Sequence, residues 1–139
     1  MHMDLLATIH SHDRWIIFLL GIVAFVLCLA AFLGKRALSK SALLSVRLYT
    51  LMMTFQFVIG IVQLIGRWDD AGIMLRHRLE HAFCMLLALT VLHMRGKWSK
   101  GSAVGTARNM MLVVLTSMIL VVLGITVVSM PKGVNIFGM

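Results

Sequence analysis

The chain has 139 residues, 60% of them hydrophobic and 13% charged, with 13 Lys and Arg against five Asp and Glu. Soluble domains average roughly 45–50% apolar and about 25% charged residues, so this composition excludes an ordinary soluble enzyme and points to a bilayer as solvent. The basic excess does not point to nucleic acid. The Lys and Arg sit in short loops between apolar runs, where such residues set orientation and meet anionic lipid headgroups.

The N-terminal stretch MHMDLLATIHSHDR has no basic leader, and no small-residue cleavage site follows the first apolar run. It does not read as a signal peptide, and the first span is expected to stay in the mature protein. A hydrocarbon core about 30 Å thick takes around 20 residues of helix. Trp15 to Leu33 supplies the first span without a charge, Leu48 to Gly66 the second and Met110 to Met130 the fourth. The third, near Leu79 to Met94, is shorter and carries Glu80, His81 and His93. It spans if its polar ends sit at the interfaces or face inward. Pro131 and Gly133 end the last helix.

The expectation is one all-α transmembrane domain over residues 1–139, with helices at about 14–34, 46–66, 78–95 and 107–130. Short connections make sequential helices antiparallel, which gives an up-and-down four-helix bundle. Cys28 and Cys84 each lie inside an apolar segment and read as small core hydrophobes, not a disulfide.

Orientation follows from charge. Lys35, Arg36, Lys40 and Arg47 fill the first loop, and Arg95, Lys97, Lys100 and Arg108 the third, with no acid in either. Lys and Arg concentrate on cytoplasmic loops, so both termini and the second loop are expected outside, in the periplasm for a bacterial inner membrane.

That topology sorts the histidines. His2, His10 and His12 precede the first span and His77 and His81 open the third, so five of six share the outer side. His10 or His12 could approach His81 across the bundle, and two histidines on facing helices are a common way to hold a b-type haem. Arg14, Arg76 or Arg78 could pair with haem propionates. In the run RHRLEH, His77 and His81 are four apart and share a helix face, so with His10-Ser11-His12 and acids such as Asp69 or Asp70 they offer a second reading as a zinc or copper site. The bland readings are a polar helix end for His10 and His12, a structural pair for Glu80 and His81, a solvated loop for His77 and an interfacial residue for His93.

The twelve methionines are scattered without an outer cluster and read as apolar filler, not copper ligands. Gln56 and Gln63 are seven apart on one face of the second helix, near Thr54 and Gly60, a pattern that serves helix packing and interhelical hydrogen bonds. A quinone headgroup could use the same groups, though nothing requires one. A two-haem wire across the membrane would need a second histidine pair in the inner half, where only His93 stands.

The residues His10-Ser11-x-x-Arg14-Trp15, Thr54-x-Gln56 with Gly60, and Glu80-His81 with Met85 resemble a group of small bacterial four-helix membrane proteins labelled cytochrome b-like. The resemblance implies a haem-associated membrane protein, with His10 and His81 at the positions of the candidate ligands. The chain departs from the group at Phe55, where the group tends to have histidine. Phenylalanine cannot ligate iron, so a haem that depended on that position is lost.

The first functional expectation is therefore a cytochrome b-like electron-transfer protein or subunit, with at most one haem b near the outer face and no enzyme activity of its own. The second is a non-catalytic accessory subunit packed against other membrane subunits of a respiratory or photosynthetic complex. An outer-face metal site or small transporter is the third.

Overall fold

The computed structural model describes residues 2–66, 68 and 73–129. They form α1 (His2–Leu33), α2 (Lys40–Gly66), α3 (Ile73–His93), a single turn α4 (Arg95–Trp98) and α5 (Ala103–Ser129), with no strand among the described residues. Each long helix begins earlier than its apolar run. α1 starts at His2, three turns before the expected boundary near residue 14, and α2 starts at Lys40 instead of near residue 46. The local reason is capping plus a continuing inward face. Ser39 Oγ accepts the Ala42 backbone N–H at 3.1 Å at the start of α2, and Ser102 Oγ accepts that of Gly105 at 3.0 Å at the start of α5. The expected end of the last helix at Pro131 and Gly133 lies outside the described residues.

α1 ends in a left-handed C-terminal turn. The Arg36 N–H bonds to the Ala31 carbonyl at 2.9 Å and the Lys35 N–H to that of Phe32 at 3.1 Å, which leaves Lys35 at φ 51°.

The four long helices pack in a ring, α1 against α2 and α5, and α3 against α2 and α5. Their inward positions follow alternating steps of three and four residues. In α1 these are Ile17, Gly21, Ala24 and Cys28, in α2 Ala42, Val46, Tyr49, Met53 and Gln56, and in α5 Ala107, Met110, Val114, Ser117 and Val121. That spacing keeps one seam of each helix on the shared axis. Gly21 lets Tyr49 and Met118 come close, since a Cβ there would meet atoms of both at 3.2 Å. Cys28 is buried and Cys84 half-buried, and neither is in a disulfide.

Large apolar side chains such as Trp15, Leu19, Leu51, Phe83 and Ile119 point outward. Three helices, α1, α2 and α5, are long and apolar enough to cross a membrane. α3 is not among them. Any stretch of α3 long enough to cross includes Arg76, Arg78 and Glu80, the charged start that the sequence places at an interface.

Candidate functional site

The seams change character toward one end. Above Ile17, Met53, Met85 and Val121, the inward positions become His10 on α1, Gln56, Gly60 and Gln63 on α2, His81 on α3 and Gly124 on α5. These continue the same three-and-four spacing, so the packing that buries valine and alanine at one end aims polar groups inward at the other.

α1 is registered against α2 by two side-chain amides. Gln56 Nε2 donates to the His10 carbonyl at 2.6 Å, and Gln63 Nε2 donates to the Leu6 carbonyl at 3.0 Å. The two carbonyls are four residues apart, about one helical turn, and the two glutamines seven apart, about two turns. Gly60, between the glutamines, leaves room for the His10 ring, whose Cε1 would lie 3.3 Å from a Cβ there. The sequence reading of Gln56 and Gln63 as interhelical donors is seen directly.

His81 is oriented from the opposite side. Its Nδ1 lies 2.8 Å from the Gly124 carbonyl on α5, a contact in which Nδ1 carries the proton and Nε2 is left as the remaining ring nitrogen. A side chain at 124 would crowd this contact, since a Cβ there would sit 3.1 Å from Cys84 Cβ and 3.3 Å from His81 Nδ1.

His10 and His81 face each other across the helix assembly, with ring centroids 6.3 Å apart and planes inclined at 75°. Both line a cavity of about 260 Å³, walled by Ile17, Met53, Phe57, Met85, Val121 and Ile125, with Arg14 and Arg78 also on its lining. Two buried polar atoms in this region have no hydrogen-bond partner, His10 Nδ1 and Gln56 Oε1. Buried polar atoms are ordinarily satisfied by protein or water, so these two leave the cavity wall with polar capacity for a partner.

A metal or haem bound here would be held by His10 and His81, whose ring centroids lie 6.3 Å apart. A second imidazole nitrogen anchored on a carbonyl, as in His81, is the usual way a ligand histidine is held in tautomer and orientation. The walls are apolar, and a cavity of about 260 Å³ would have to widen to take a macrocycle.

The other expected site residues part company with this pair. His12 is exposed, and its Nδ1 is turned back on the Thr8 carbonyl at 2.8 Å, so it does not reach the cavity. Arg14 lines the cavity, with its guanidinium 5.4 Å from the centre of the Trp15 ring. His77 is not a solvated loop residue. It lies within α3 and is buried to 7% exposure, with Nδ1 3.8 Å from Glu80 Oε2. α3 begins at Ile73, which carries position 77 onto the inward seam. Glu80 is engaged by Arg76 at 2.8 Å, not by His81. For the alternative His77–His81 metal site, no three metal-ligating side chains converge among the described residues. Asp69 and Asp70, its expected acidic partners, lie outside them. His93 is exposed at the far end of α3, with Nδ1 3.0 Å from the Leu89 carbonyl.

Phe55 is half exposed on the outward face of α2, while its neighbour Gln56 is buried. A histidine at 55 would point away from the cavity, so its absence does not touch the His10–His81 pair. The sequence reading missed the Gly124 carbonyl. Only its place in the α5 seam, three residues after Val121, could have signalled it.

The chain matches no family model, no curated protein and no solved structure.

Proposed function

We propose that the chain is a cytochrome b-like electron-transfer protein of the bacterial inner membrane, holding one haem b between His10 and His81. All four long helices cross the bilayer, with both termini and the cavity on the side away from the cytoplasm and the acid-free loops inside. The observation that carries the reading is the facing pair itself, two inward imidazoles 6.3 Å apart on a cavity with apolar walls.

A bound haem supplies reversible one-electron chemistry without proton or group transfer. The residues of the chain do the rest. His10 and His81 would hold the haem, and the Gly124 carbonyl keeps the proton of His81 on Nδ1. Gln56 fixes the height of His10 through its backbone carbonyl. Arg14 is placed to pair with a carboxylate at the cavity mouth. The resemblance to small cytochrome b-like membrane proteins supports the same two histidines.

The test is a reduced-minus-oxidised visible spectrum of protein purified from a host that makes haem. The wild type and His12→Ala are expected to give the same sharp b-type band, and His81→Ala and His10→Ala to lose it. Wild-type protein without haem, or a band that survives both cavity substitutions, overturns the reading and leaves an accessory membrane subunit as the better one.

A further inference from the structure

A second concavity lies at the opposite, basic end, between α3 and α5 under the single turn α4. It has a volume of about 340 Å³ and is lined by Val91, Trp98, Asn109, Leu112, Val113 and Thr116. The connection above it is stapled to α5. Asn109 Nδ2 donates to the Trp98 carbonyl at 2.8 Å, and Thr106 Oγ1 to the Ser99 carbonyl at 3.1 Å. These bonds hold Lys97 and Lys100, which flank Trp98 and Ser99, over the start of α5. Arg108 is drawn to the same place, its Nε and Nη2 lying 3.4 Å and 3.5 Å from Asn109 Oδ1. All three cations are exposed, and residues 94–109 contain no acid. Arg95 is not part of this cluster, because it folds inward to Thr50 Oγ1 at 3.2 Å and the Leu92 carbonyl at 3.0 Å.

We propose that this groove is a binding site for an anionic phospholipid. One acyl chain lies along Val91, Leu112, Val113 and Thr116, and the headgroup phosphate is held by Lys97, Lys100 and Arg108. Charge complementarity selects the occupant. Three exposed cations in a connection without acids, beside a groove that Trp98 and apolar side chains line, match an acyl chain under a negatively charged headgroup. A soluble anion would have no use for the groove, and a zwitterionic lipid would bring its own cation to the cluster.

The inference rests on the membrane reading and is independent of haem. Full-length protein in mild detergent is titrated with phosphatidylglycerol and with phosphatidylcholine of matched chains, and bound lipid is counted by native mass spectrometry. Phosphatidylglycerol is expected to bind at least about tenfold more tightly. Lys97→Ala with Lys100→Ala and Arg108→Ala should weaken it by roughly fivefold per cation removed. Lys35→Ala with Arg36→Ala and Lys40→Ala removes the same charge from the first loop and should leave it unchanged. Leu112→Trp, at an exposed position on the groove wall, fills the groove without changing charge and should also weaken binding. Equal binding of the two lipids, equal losses in both triple variants, or full competition by glycerol phosphate overturns the site. Protein that stays dispersed after detergent removal, without lipid, overturns the membrane reading instead.

Discussion

The two halves of the helix assembly use one seam for opposite ends. Toward the basic end, inward positions are filled by Ala24, Cys28, Ala42, Val46, Ala88, Leu92 and Val114, each 2% exposed or less. The polar pair there, Tyr49 and Ser117, satisfies itself across the core at 3.2 Å. Toward the other end the same spacing carries His10, Gln56 and His81 around a cavity, with two polar atoms unsatisfied. One half is closed and internally paired, and the other is left open and underpaired. Packing dominates the first half, and the second holds the cavity proposed to bind haem.

The contrast breaks most visibly if the closed half is hollowed. Leu92→Ala should cost roughly 2–5 kcal/mol, because a fully buried side chain leaves a cavity its neighbours cannot fill. The check is thermal unfolding in detergent. A loss below about 1 kcal/mol would mean the half is not tightly packed. Gly21→Val should cost about 1–3 kcal/mol by overpacking, since its added atoms meet Tyr49 and Met118. Tyr49→Phe should cost about 0.6 kcal/mol, the usual worth of an interhelical hydrogen bond in a membrane. Gln56→Leu should cost no more than that, because it also removes an unpaired carbonyl oxygen, yet it should shift or broaden the haem spectrum by freeing the height of His10. If Gln56→Leu destabilises as much as Leu92→Ala and leaves the spectrum alone, the division of labour fails.

Much of this was legible in the residues. Apolar runs located three helices long enough to span, and topology brought His10 or His12 toward His81, of which the structure places His10 beside it. Boundaries were less legible, because hydropathy stops where charge begins while the helix continues. His2 to Asp13 in α1 and Ile73 to His77 in α3 are helical in spite of their polarity. That error placed His77 in a loop, when one more turn of α3 buries it. The Gly124 carbonyl was illegible for a different reason. A backbone acceptor has no residue-type signature, and only the crossing of α3 over α5 brings it to His81.

The smallest expected effect is the one at Phe55. Family resemblance makes this position look decisive, because a histidine there is part of the pattern, while the structure sets it on the outer face of α2 at 50% exposure. Successive helix residues are about 100° apart, so when Gln56 faces the cavity its neighbour cannot. Phe55→Ala should therefore leave the haem spectrum unchanged and alter stability by less than about 0.5 kcal/mol, as exposed positions do. Phe55→His should likewise fail to rescue haem binding in His10→Ala. Rescue would mean that α2 is rotated relative to the seam, and the pairing of Gln56 with His10 would fall with it.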